Sequence, residues 1–248
     1  MTTTILAPNL GAWHNSPALK TEVTARMATH RAADTLVQAV YQERLPNSAL
    51  GYRGCFLGCT LPWLAPIPQD PTWAEMVERY YAIPATVGDL VEATFENLRE
   101  DRCGAFAFAV VDAIPIGADL SLVIPAVNLD LLTDPVYGVT RFTTEGSAQH
   151  TVITQVADLL GRVVAGGAVT PAEWQAANTA TEAAVWTAHD EITADATTTA
   201  QVIIDHWGAV EASGPWREIH YTQAPEGSWQ WLAGRVLHHL AATQGGQR

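Results

Sequence analysis

The chain has 248 residues and a formal net charge of −13, from 26 Asp and Glu against 13 Lys and Arg. That balance excludes the basic stripe of a non-specific nucleic-acid binder and gives no attraction to anionic membranes. Hydrophobic residues make up 48% and charged residues 16%, which excludes wholesale disorder and provides a core for one large domain or two small ones.

The N-terminal Met1-Thr-Thr-Thr-Ile-Leu lacks the charged start and apolar run of a signal peptide. The most apolar stretch, 105–129, is broken by Asp112, Pro115, Asp119 and Pro125, short of the ~20 residues a membrane span needs. Three cysteines are too few for a disulfide scaffold at this length. The expected setting is cytoplasmic, with no nucleic-acid partner and no membrane.

Ser16 and Pro17 form a cap-then-proline start, and no proline follows until Pro46, so one long helix is expected over 17–43. Residues 45–70, rich in proline and glycine, read as a compact irregular loop region around Cys55 and Cys59. Asp70-Pro71 repeats the start signal for a helix to Tyr81. Pro84 opens another, with Leu90, Val91, Phe95 and Leu98 at helical spacing. The run from Ala105 to Val111 fits a buried strand or a buried helix, with helix preferred.

In the second half, Thr170-Pro171-Ala172-Glu173 is a capping box. Beyond it Trp174, Val185, Ile192, Ile203 and Val210 recur on one helical face. A last helix is expected over about 225–242, with Trp229, Leu232, Val236 and Leu240 together. The expected fold is therefore an all-α, multi-helix assembly with one irregular Gly/Pro/Cys loop region. It is organised as an N-terminal helical lobe (1–134) and an alanine-rich lobe (135–248), or as one continuous domain.

One constellation carries potential chemistry. On a helix over 17–43, Leu19, Val23, Val37 and Tyr41 share a face, and His30 and Asp34 fall inside it one turn apart. An ionisable pair on a buried stripe must satisfy itself, since a buried unpaired charge costs several kcal/mol. An aspartate that orients an imidazole prepares it for base catalysis or metal ligation. The plainer role is a core pair that locks helix packing. Tyr41 and Glu43 lead into the loop Gly51-Tyr-Arg-Gly-Cys55-Phe-Leu-Gly-Cys59-Thr60, whose glycines permit close backbone approach. Its thiols are nucleophile and resolving partner, metal ligands, or small buried hydrophobes. The candidate catalytic set is thus His30, Asp34, Tyr41, Glu43, Cys55 and Cys59. The candidate metal set is His30, Asp34, Cys55 and Cys59, for a divalent ion such as zinc or iron. Cys103 reads as structural. Two functions follow: an enzyme acting on a small polar substrate by thiol or metal-assisted chemistry, or a non-catalytic α-helical binding or scaffold protein.

His30-Arg-Ala-Ala-Asp34, Tyr41-x-Glu43, Gly54-Cys55-x-x-Gly58-Cys59-Thr60 and Ala113-Ile-Pro-Ile-Gly-Ala-Asp119-Leu120 together resemble an uncharacterised bacterial and phage-associated protein family. The resemblance covers mainly residues 14–134 and extends to the alanine-rich helical second half. Family members commonly carry a histidine after the Gly-Cys-x-x-Gly-Cys-Thr element, where this chain has Leu61-Pro62-Trp63. The resemblance supports the choice of residues and implies no particular activity.

Overall fold

The structure is a computed structural model that describes residues 11–47, 49–64, 71–187 and 227–243. Its described residues form nine α-helices, two short 3-10 turns and a single two-stranded sheet, so the fold is all-α. None of the described helices is long and apolar enough to cross a membrane. The chain divides into two compact units, residues 1–123 with 232–248, and residues 124–231.

Among the described residues the first unit opens with a 3-10 turn, Ala12–Asn15, followed by α1, Pro17–Ala32. Ser16 accepts a hydrogen bond from the Leu19 N–H and Pro17 occupies the first turn, as its missing N–H permits. The helix does not run to residue 43. It stops at Ala32 because Thr35 turns back on it: the Thr35 N–H and hydroxyl both donate to the His30 carbonyl, at 3.0 and 3.2 Å. Asp34, between them, takes a left-handed φ of 53°. Short polar side chains compete with the helix for its own backbone groups, and Asp34-Thr35 does so here. Residues beyond it pair with the glycine-cysteine loop: Gly54 N–H donates to Thr35 O, Val37 N–H to Gly54 O, and Cys55 N–H to Val40 O.

The expected irregular region contains regular pieces. Strands β1, Glu43–Arg44, and β2, Tyr52–Arg53, pair antiparallel, and a short helix α2, Phe56–Thr60, follows at once. Helix α3 spans Trp73–Tyr81, with Thr72 rather than Asp70 as its cap and Glu75 closing a capping box; Asp70 lies outside the described residues. Helix α4, Ala85–Asn97, follows Pro84 as expected. Helix α5, Glu100–Ala113, resolves the ambiguous run: Cys103, Phe106, Ala107, Val110 and Val111 are buried at three-to-four-residue spacing. Glu100 and Asp101 sit in its first turn, where the helix dipole favours acids. Helix α1 packs on α5 and α2, while α4 packs on α2, α3 and α5.

The amino-terminal turn is conformationally unusual. Trp13, His14 and Asn15 all have positive φ, 63°, 49° and 58°, a geometry costing L-residues about 1–2 kcal/mol each. Tertiary contacts hold it. The buried Trp13 indole donates to Ile114 O at 3.0 Å, Ala12 and the 117–118 backbone exchange two hydrogen bonds, and His14 Nε2 donates to Arg79 O.

The second unit contains most of α6 (Val123–Thr133), a 3-10 turn at Val139–Phe142, α7 (Ala148–Val164), α8 (Pro171–Trp186) and the start of α9 (Ser228–Ala242). Thr170 and Glu173 form the expected capping box on α8, and Arg162 adds an ion pair to Glu173 at 2.5 Å. The core here joins Leu132, Ile153, Val156, Leu160, Trp174 and Ala177. Asn128 on α6 is fully buried, and neither atom of its amide has a partner. The expected continuation of the alanine-rich register through Ile192, Ile203 and Val210 lies outside the described residues.

Candidate metal centre

Helix α2 sits where it does because two glycines let it. A Cβ on Gly54 would stand 2.0 Å from the Tyr41 carbonyl oxygen, and one on Gly58 only 1.4 Å from the same atom. The glycines of the Gly-Cys-x-x-Gly-Cys element therefore serve close backbone approach to the 40–42 segment. Gln42, itself buried, fastens that approach. Its amide donates to Gly58 O and Pro62 O and accepts from Leu64 N–H.

This packing brings Cys55, the residue before α2, against one face of α4. Among the described residues, Cys55, Glu92 and Glu96 offer ligand atoms that all lie within 4.8 Å of one another. Glu92 and Glu96 are one helical turn apart, so their carboxylates share a face. Each carboxylate is positioned by a backbone donor from another segment: Leu57 N–H to Glu92 at 3.1 Å, and Ala39 N–H to Glu96 at 2.7 Å. Ala39 reaches that position with a left-handed φ of 63°. Cys55 is buried, Glu92 is 9% exposed and Glu96 is half-buried, which leaves Glu96 as the side facing solvent.

Electrostatics follow from that burial. Desolvation pushes the Glu92 carboxyl up to about 7, with Glu96 and Asp89 adding to the rise and hydrogen bonds from Cys55 and Leu57 opposing it. Glu96 is also raised, again chiefly by burial. The Cys55 thiol is driven far above its ordinary range by burial and then by the charge of Glu92, with which it is hydrogen bonded. Without a metal, the thiol is therefore a protonated donor to a carboxyl group that titrates near neutrality. It is not an activated thiolate.

Comparison with family models, with curated proteins and with solved structures gives no match.

Of the residues singled out from the sequence, only Cys55 belongs to this cluster. His30 is fully buried, but its partner is Thr35: Nδ1 lies 2.8 Å from the Thr35 hydroxyl, and the ring edge packs on Tyr52 at 4.7 Å between centroids. Asp34 is exposed beyond the helix end, so the expected His30–Asp34 pair is not formed. Neither residue joins a three-ligand group among the described residues. Cys59 is buried and donates to Gly54 O at 3.2 Å and, more weakly, to Thr35 O at 3.7 Å. Its thiol is likewise raised by burial. Tyr41 stacks on Trp73 with rings nearly parallel at 5.1 Å, and Glu43 forms a surface ion pair with Arg53 at 2.6 Å. Cys103 is buried and donates to Glu100 O, in keeping with a structural part.

Glu92 and Glu96 were not among the sequence candidates. A signal existed. Glu92 falls on the same wheel face as Gly88 and Phe95, both buried, so its carboxyl had to be accounted for as the His30 pair was.

Proposed function

We propose that the first unit binds one divalent transition-metal ion through Cys55, Glu92 and Glu96, and that the chain is a metal-assisted enzyme acting on a small polar substrate. The observation that carries this reading is the convergence of one thiol and two carboxylates within 4.8 Å. Ligands held at about 2.0–2.3 Å in a tetrahedral shell stand roughly 3.5 Å apart, so small side-chain shifts suffice. A mixed sulfur and oxygen set suits a borderline ion such as zinc or iron. Three protein ligands leave a coordination position open, the pattern of catalytic rather than structural zinc sites. A bound ion supplies Lewis acidity and lowers the pKa of a coordinated water. The chain's own residues hold the ligands in place: Leu57 N–H and Ala39 N–H orient the two carboxylates, and Glu96 is the ligand on the solvent side.

Binding must expel the Cys55 proton and the proton held at Glu92, so loading should strengthen as pH rises and release acid. Elemental analysis and calorimetry after incubation with zinc or ferrous ion should give about one ion per chain. Cys55→Ser and Glu96→Gln should each weaken binding at least tenfold. No stoichiometric uptake at micromolar metal, in protein never exposed to chelator, would refute the proposal.

A second reading is a non-catalytic helical binding or scaffold protein. What favours it is that every member of the cluster already has a partner within the protein: the thiol bonds to Glu92, and both carboxylates accept backbone N–H groups. In that case the cluster is a tie between α2 and α4, and Cys55→Ser changes stability alone.

A further inference from the structure

The cluster at His30 has a feature that packing does not require. The ring is fully buried and Nε2 has no hydrogen-bond partner. The Thr35 hydroxyl lies 3.2 Å from the His30 carbonyl and 2.8 Å from Nδ1; with its proton given to the carbonyl, Nδ1 carries the ring proton and donates to Thr35. A second proton would have to enter at Nε2, where nothing accepts it, and against the positive charge of Arg26. The fold therefore admits the neutral imidazole and rejects the cation. Burial first, and then Arg26, hold this histidine down at about 4.

Thr35 is also where the glycine-cysteine loop is fastened. Its carbonyl accepts from Gly54 N–H at 3.0 Å and from the Cys59 thiol, and Leu36 bridges to Gly54. We propose that the His30–Thr35 contact is an acid-sensitive latch, and that protonating the imidazole frees the 35–37 segment from Gly54 and uncovers the loop that carries Cys55 and Cys59. The titratable groups around it are Arg26 on α1, itself tied to Glu22 and to Tyr81 of α3; Tyr52 of β2; and Cys59 of α2, which shares Thr35. Tyr52 and Cys59 are raised by burial and stay neutral throughout, so within this cluster His30 is the group that takes up a proton when the latch opens in mild acid. The proposal stands whether or not Cys55 holds a metal.

The test is amide hydrogen exchange by NMR between pH 4.5 and 6.5, corrected for intrinsic rates, in wild type and His30→Gln. Opening takes up one proton at His30, so protection at Gly54 and Val37 should fall roughly tenfold per pH unit more steeply in wild type than in the variant. Opening that also frees Glu92 has the opposite slope, and being common to both proteins it cancels in the difference. Amides of α7 in the second unit should keep their protection. If His30→Gln does not fold, imidazole nitrogen shifts in the wild type decide: His30 should remain neutral, with its proton on Nδ1, down to about pH 5. Titration near the ordinary imidazole value, equal slopes in the two proteins, or parallel loss of protection in α7 would each overturn the latch.

Discussion

Replacing Gly58 by alanine should destabilise the first unit by about 2–4 kcal/mol, although the residue lies inside a helix, where the same change ordinarily helps. The new methyl would stand 1.4 Å from the Tyr41 carbonyl oxygen and 2.4 Å from its carbon, so backbone has to move. The 40–42 segment is poorly free to move. Val40 O accepts from Cys55 N–H at 2.6 Å, and Gln42 holds Gly58 O and Pro62 O at 2.7 and 2.9 Å. Helix propensity returns about 0.5–1 kcal/mol. Overpacking costs about 1–3 kcal/mol, and each displaced buried hydrogen bond adds about 1 kcal/mol. Gly161→Ala in α7 is the matched control: nothing lies within 4 Å of its added methyl, so that change should stabilise by about 0.5–1 kcal/mol. Urea titrations followed by far-UV circular dichroism read both. If Gly58→Ala melted with or above the wild type while Gly161→Ala behaved as expected, the close approach of α2 to Tyr41 would be wrong, and with it the placement of Cys55.

Glu92→Gln should stabilise the metal-free protein at pH 8 by up to about 3 kcal/mol, because glutamine still accepts from Leu57 N–H and carries no buried charge. The sign follows from a carboxyl raised from 4.5 to about 7 on folding. Its penalty is absent below about pH 4.5, grows as pH rises through 7, and should vanish from the pH profile of the variant in thermal melts. Ala82→Gly should stabilise by about 0.5–1 kcal/mol, since Ala82 ends α3 with a left-handed φ of 52° that suits glycine; a lower urea midpoint would count against that geometry. Asn128→Leu keeps the branch at Cγ and removes a buried amide without partners, so a gain of about 1–3 kcal/mol is expected, whereas a loss would show that the amide is satisfied in solution.

Most of the fold is legible in the sequence because its signals are local. Ser16-Pro17, Pro84 and Thr170-Pro171-x-Glu173 mark three helix starts, and the structure places α1, α4 and α8 there. The end of α1 was not legible. No glycine or proline interrupts 33–43, and the local turn at Asp34-Thr35 is held by the pairing of Thr35 and Val37 with Gly54, about twenty residues away, which no local pattern encodes. The site depends on where that helix ends. A helix running on past Ala32 puts Asp34 beside His30, whereas the turn puts Thr35 there and leaves Asp34 in solvent. Cys55 is legible because Gly54 and Gly58 flank it. Glu92 is harder to single out, because α4 also carries Asp89 and Glu96 and only the burial of Gly88 and Phe95 on its own face sets it apart from them.

The left-handed turn at the amino terminus bears on the order in which the chain assembles. Trp13 is anchored to Ile114, 101 residues away, and three strained residues must be held in place by that contact and its neighbours. Closing so long a loop is entropically slow, and nothing local favours the turn beforehand. Helix pairs close in sequence, α3 with α4 and α7 with α8, can form without it. The turn is therefore expected to form late, on a unit already largely built. Substitutions at Trp13 should accordingly speed unfolding while leaving the folding rate nearly unchanged, so this end of the chain governs how long the native state lasts and has little part in how fast it is reached.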